Sequence, residues 1–154
     1  MQIKKHRKSI TLAAFLAGSL GIGSACVSTP EDIGLVEGRL AACPSSPNCV
    51  CSEDGDGSIA PLAYTGDGKI AFLSLLALLG SQPRVDLVTV EEEYAHAVFR
   101  TPLLRFRDDV ELRLDSANSV IQVRSSSRVG HSDMGANRRR IESLRALWRL
   151  SETE

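Results

Sequence analysis

Phe106-Arg107-Asp108-Asp109-Val110-Glu111-Leu112-Arg113-Leu114, followed after a short break by Val120-Ile121-Gln122-Val123-Arg124-Ser125-Ser126-Ser127-Arg128, is the stretch whose reading decides the fold. Successive side chains of a strand point to opposite faces, so Phe106, Asp108, Val110, Leu112 and Leu114 share one face and Arg107, Asp109, Glu111 and Arg113 the other. In the second run Ile121, Val123, Ser125 and Ser127 line up against Gln122, Arg124, Ser126 and Arg128. A two-residue turn at Ala117-Asn118 matches the apolar faces. It sets Leu112 opposite Val123, Val110 opposite Ser125, Asp108 opposite Ser127 and, on the other face, Glu111 opposite Arg124. Alternation assigns the apolar set, with Asp108, to the core and the charged set, with Asp109, to solvent.

Upstream, residues 85–92 and 94–101 read as two more strands, joined by connections short enough to favour antiparallel neighbours. Residues 67–79 read as a helix with Asp67 as its N-cap and Gly80 as its stop before Pro83. Leu73, Leu75, Leu76, Leu78 and Leu79 cover most of that helix's circumference, which predicts burial. A last helix is expected over about 133–150, with Ile141, Leu144, Leu147 and Trp148 on one face and Arg138, Arg145 and Arg149 on another. The order gives an α+β class: a four-stranded antiparallel sheet with two helices packed on one face.

An inward-facing Asp108 needs a partner, because an unpaired buried charge costs several kcal/mol. Ser125, Ser127, and Asn137 or Arg138 at the helix start are the partners within reach. Two readings stay open for this candidate polar site of Asp108, Ser125, Ser127, Arg128, Asn137 and Arg138. One is a structural network that locks the last helix to the sheet. The other is a pocket for a small anion or polar headgroup, with Arg128 or Arg138 as charge partner and helix-start amides near Ser132-Asp133 assisting. His96 and His131 are read as surface or packing residues. No nucleophile turn such as Gly-x-Ser-x-Gly is present, so no catalytic residue is assigned, and no metal or other cofactor is expected.

The first 25 residues read as a signal peptide. Lys4, Lys5, Arg7 and Lys8 precede an apolar run from Ile10 to Ile22, too short to span a bilayer, which ends in Gly23-Ser24-Ala25. Cys26 follows directly and resembles the acylated cysteine of a bacterial lipobox, although Gly23 stands where that pattern usually has Leu. Ordinary signal-peptidase cleavage is the alternative. Val27 after the cysteine fits the lipoprotein sorting pattern for the outer membrane. The expected organisation is a lipidated tether over 26–42, one globular domain over 43–150 and a tail over 151–154. Removing the leader's four cations from a net charge of −1 leaves −5, which argues against nucleic acid as a partner.

Cys43, Cys49 and Cys51 fall in Cys43-Pro44-Ser45-Ser46-Pro47-Asn48-Cys49-Val50-Cys51. In an oxidising compartment Cys43 with Cys49 is the better spaced disulfide. Zinc binding and thiol-redox chemistry are weaker alternatives, since neither paired ligand spacings nor Cys-x-x-Cys is present. With Cys26 lipidated, Cys51 is the thiol left over; with Cys26 unmodified, a Cys26 to Cys51 bond becomes possible.

Leu40 with Cys43-Pro44-Ser45-Ser46-Pro47-Asn48-Cys49-Val50, then Phe106 with Asp108-Asp109-Val110-Glu111, then Val123 to Gly130 with Ser132-Asp133-Met134-Gly135-Ala136-Asn137-Arg138, resembles the bacterial and plastid family called domain of unknown function 1499. The resemblance spans residues 38–147, departs from the family pattern at Cys51, and implies no activity. The expectation is an exported, lipid-anchored envelope domain that faces the periplasm and binds an envelope protein or a small polar ligand without catalysis. A cell-envelope hydrolase or thiol-redox enzyme is the alternative.

Overall fold

Alternation along residues 85–127 does build an antiparallel sheet, in the computed structural model that describes residues 32–54 and 59–151. The leader, the lipidation assigned to Cys26 and residues 152–154 lie outside the described residues. The four long strands are β5 (Val85–Val90), β6 (Tyr94–Arg100), β7 (Arg107–Asp115) and β8 (Val120–Ser127). Their pairing reproduces the expected register, with Leu112 opposite Val123, Asp108 opposite Ser127 and Glu111 opposite Arg124.

The sheet has six strands, not the expected four. The additions are β3 (Cys49–Cys51) and β4 (Leu62–Ala63), which both pair with β8 along its outer edge. Strands of three and two residues are too short to repeat the two-residue alternation, so hydrophobic pattern alone cannot register them. A separate hairpin is formed by β1 (Leu35–Val36) and β2 (Arg39–Leu40).

Helices α1 (Gly68–Gly80) and α2 (Ala136–Ser151) both pack on the same sheet face. Asp67 caps α1 as expected, accepting from the amides of Lys69 at 2.9 Å and Ile70 at 3.0 Å. Phe72, Leu75, Leu76 and Leu79 enter the core, but Leu73 and Ile70 stay exposed, so α1 is buried on one side and not all round. Gly80 remains helical and Ser81 forms the cap. From α2, Ile141, Leu144 and Trp148 meet Val110, Leu112, Leu114, Ile121 and Val123 in one apolar layer. Phe106, assigned to the third strand's core face, lies instead in the preceding loop and is half exposed.

The largest departure is on the opposite face. Asp109 is 1% exposed, and Glu111 and Arg124 are fully buried. Residues 32–42 of the expected tether, with Cys43, cover Glu111 and Arg124, where Asp32 and Gly34 bond to them and Leu40 and Cys43 pack with Cys51 and Tyr94, while His96 and Arg128 enclose Asp109. Alternation assigns faces correctly but is silent about what covers them.

Candidate functional site

Arg113, Arg124 and Arg128 pair with carboxylates along the second face. Toward one end, Arg113 donates to both oxygens of Glu53 from β7, at 3.1 and 2.8 Å. In the middle, Arg124 donates to Glu111 Oε2 at 2.7 Å and is also bonded to Asp32. Glu111 Oε1 accepts from Tyr94 Oη and from the Gly34 amide, both at 2.8 Å. At the other end Arg128 donates twice to Asp109, at 2.8 and 2.9 Å, and His96 Nε2 stands 2.7 Å from the same carboxylate. Burial works against ionising Asp109, but the hydrogen bonds from His96 and Arg128 outweigh it and hold the carboxyl below its ordinary range. Burial and the neighbouring Glu111 push the Tyr94 phenol well above its usual range, so it stays a donor.

A second polar network sits on the helix-covered face where β7, β8 and α2 meet. Asp108 is ion-paired with Arg140, and the guanidinium of Arg140 also reaches Ser125 Oγ at 3.0 Å and the side-chain oxygen of Asn137. Its carbon lies 5.0 Å from the centre of the Phe99 ring, within cation–π range. Ser125 Oγ donates to Asn137 Oδ1 at 2.7 Å. Asn137 Nδ2 donates to Ser127 Oγ at 3.0 Å and to the Asn48 carbonyl at 2.8 Å. Asn48 in turn donates from Nδ2 to the Gly130 carbonyl at 2.6 Å. Cys43 and Cys49 are joined by a disulfide that closes the loop presenting Asn48.

Asp108, Ser125, Ser127 and Asn137 are therefore brought together. Arg128 is not with them: it projects from the other face to Asp109. Arg138 is exposed on α2. The cation that completes the network is Arg140. Helical phase was the available signal, since at 3.6 residues per turn Arg140 lies nearer than Arg138 or Arg139 to the stripe of Asn137, Ile141, Leu144 and Trp148. His96 is buried against Asp109, whereas His131 is exposed. The recurring arginine face of α2 is broken too, because Arg145 turns in to donate to the carbonyls of Pro61 and Ala60, both at 2.6 Å.

Beside this network a cavity of about 470 Å³ opens between residues 101–106, 127–130 and the start of α2. Asp108, Ser127 and Asp133 supply its polar wall, and Phe106, Val129 and Met134 its apolar one. The helix-start amides proposed for an anion are already taken. Asp133 accepts from Gly135 N at 2.8 Å and from Asn137 N at 2.7 Å. Those amide bonds offset the effect of burial and lower the Asp133 carboxyl.

Ser125, His96 and the described cysteines are held by the fold. Ser125 is fully buried, with its proton directed to Asn137. Cys51 is fully buried, accepts from the Glu53 amide at 3.4 Å, and has its thiol pKa pushed up by burial, the opposite of an activated nucleophile. Cys43 and Cys49 are spent on each other, and among the described residues no three His, Cys, Asp or Glu side chains gather as metal ligands.

The fold and site define an α+β domain whose sheet carries helices on one face and a covered ionic layer on the other. The chain belongs to the family described as "Protein of unknown function (DUF1499)", whose model matches residues 39–147. No curated protein and no solved structure matches the chain. The three stretches that carry the resemblance come together here: residues 43–50 supply Asn48, residues 106–111 supply Asp108, and residues 123–138 supply Ser125, Ser127 and Asn137.

Proposed function

We propose that the chain is an exported, lipid-anchored domain of the cell envelope that binds a small amphipathic ligand in the cavity beside Asp108 and Ser127, without catalysis. One observation carries the binding reading. The family stretches build the wall of a cavity of ligand size, while Ser125 behind it donates to Asn137 and Ser127 on the wall accepts from the Asn137 amide. Such a wall holds shape. The polar wall suits hydroxyl or amino donors, and Phe106 and Met134 suit an apolar body. With Arg128 and the helix-start amides engaged elsewhere, a simple anion has few donors left in that cavity.

Export is supported by the leader, and the disulfide fits an oxidising compartment. Acylation rests on the placement of Cys26 after Gly23-Ser24-Ala25. Cys26→Ser should move the protein from the membrane fraction to the soluble one; equal retention of both forms would remove the anchor from the proposal. For the cavity, the protein purified from envelope extracts should carry small molecules detectable by native mass spectrometry. Val129→Trp, which fills the cavity, should lose them. Identical small-molecule content in both forms would remove the cavity as the site.

A further inference from the structure

The two ends of the sheet differ in surface chemistry. One end gathers the loop after β6, the segment after β8 and the start of α2. Leu103 there is 93% exposed, Leu104 71% and Met134 88%, with Phe106 and Val129 half exposed beside them. Segments 82–86, 99–109 and 127–140 at this end contain eight arginines against four aspartates. Asp86, Asp109 and Asp108 are matched by Arg100, Arg128 and Arg140, and Asp133 caps α2. Arg105, Arg107 and Arg139 add positive charge around the apolar tip. The opposite end carries Glu91, Glu92 and Glu93 in the β5–β6 turn and Asp67 at the start of α1. A chain that is acidic beyond its leader has thus concentrated cations around its most exposed apolar side chains.

We infer that this end, with Leu103, Leu104 and Met134 at its tip and Arg105 and Arg139 around it, docks on an anionic lipid surface. Apolar side chains ringed by arginine fit the boundary between acyl chains and negative headgroups, where burial and charge attraction act together. An aqueous protein surface seldom leaves a leucine pair so bare without a contact to make. The lipid anchor alone does not choose the end. Asp32 is bonded to Arg124 midway along β8, and the six chain steps from Cys26 to Asp32 reach at most roughly 20 Å, enough for either end. Surface chemistry makes the choice, so the inference stands whether or not Cys26 is acylated.

The test compares the two ends within the full-length protein. Leu103→Trp at the tip and Glu92→Trp at the opposite end are each mixed with phosphatidylglycerol vesicles whose acyl chains carry bromine, which quenches nearby indole fluorescence. Both positions are exposed, and the native Trp148 is buried and common to both variants. Quenching should be strong for Leu103→Trp and near background for Glu92→Trp. It should fall on replacing the anionic lipid with phosphatidylcholine, and the apparent vesicle affinity should drop by roughly tenfold or more with Arg105→Gln and Arg139→Gln together. A leader or acyl chain that merely holds the protein near the vesicle would quench both positions alike, and that result overturns the inference. Absence of quenching at Leu103→Trp also overturns it and leaves the patch to an acidic protein partner. The outcome is separate from ligand retention in the cavity, which Val129→Trp reads in the absence of vesicles.

Discussion

The two faces of one sheet solve burial in opposite ways. On the helix side Val110, Leu112, Leu114, Ile121 and Val123 bury apolar surface against α1 and α2. Stabilisation there grows with area and tolerates repacking. On the other side the same strands bury Glu111 and Arg124 beneath residues 32–43, and Asp109 between His96 and Arg128. A buried pair gains little net energy over apolar residues of similar size, because desolvation offsets much of the attraction, yet losing one partner is costly. One face therefore supplies stability, and the other fixes how the N-terminal cover sits: Gly34 N and Asp32 can meet Glu111 and Arg124 in one arrangement only.

The hardest blow to this contrast comes from removing one charge at the centre of the ionic face. Glu111→Ala should destabilise by about 3–5 kcal/mol, because Arg124 is left fully buried without its main counter-ion. Replacing both, Glu111→Leu with Arg124→Met, should recover most of that loss in urea unfolding. Leu112→Ala, one residue along on the apolar face, should cost about 2–5 kcal/mol through a cavity that no change of partner charge repairs. If the double variant were as unstable as Glu111→Ala, the ionic face would be contributing stability rather than arrangement, and the contrast would fail.

Acid separates the faces further. Asp109 has a depressed pKa in the folded protein, so its contribution is fully present above its unfolded value of about 3.9 and is lost as pH falls through the folded one. Asp109→Asn should cost about 3 kcal/mol at neutral pH, the low end for a broken buried pair, since Arg128 keeps slight contact with water. Below about pH 4 the gap between this variant and the original should close. The Leu112→Ala gap involves no titrating group and should stay open. Parallel pH curves for the two variants would show that the Asp109 carboxylate is not held by its charge.

This contrast also explains what could be read in advance. Strand positions, the register between β7 and β8 and the inward turn of Asp108 follow from period-two alternation, which the residues themselves state. The fate of Asp109 and Glu111 does not. A row of charged residues on one strand face reads as a solvated surface unless something lies over it, and the cover here includes a hairpin of two two-residue strands with no periodicity of its own. Hints were present nonetheless: Glu111 opposite Arg124 was legible as a cross-strand pair, and His96 lies opposite Glu111 on the same face of β6. Within the candidate site, Ser125, Ser127 and Asn137 were legible because their positions on β8 and at the helix start are set by alternation and capping. Arg140 was hidden among three consecutive arginines, and only helical phase tells them apart. Asn48 was hidden because its contacts lie 79 and 82 residues away, where no local pattern points.

The smallest expected effect tests the aspartate that alternation singles out. Asp108→Asn keeps the side chain's shape and an oxygen able to accept from Arg140, and it removes the charge. Arg140 has three other contacts, with Ser125, Asn137 and the Phe99 ring, and its side chain retains 13% exposure through which water can reach it. The loss should therefore be about 1–3 kcal/mol, the range for a hydrogen bond to a charged group, and below that of Asp109→Asn. Alternation with an open outer face orders the two the other way, with Asp109→Asn under about 0.5 kcal/mol as an ordinary surface change. Urea unfolding of both variants at neutral pH decides between these orders. If Asp108→Asn proved the more damaging, Asp109 would not be shielded from water in solution, and the second face would have to be redrawn as a solvated one.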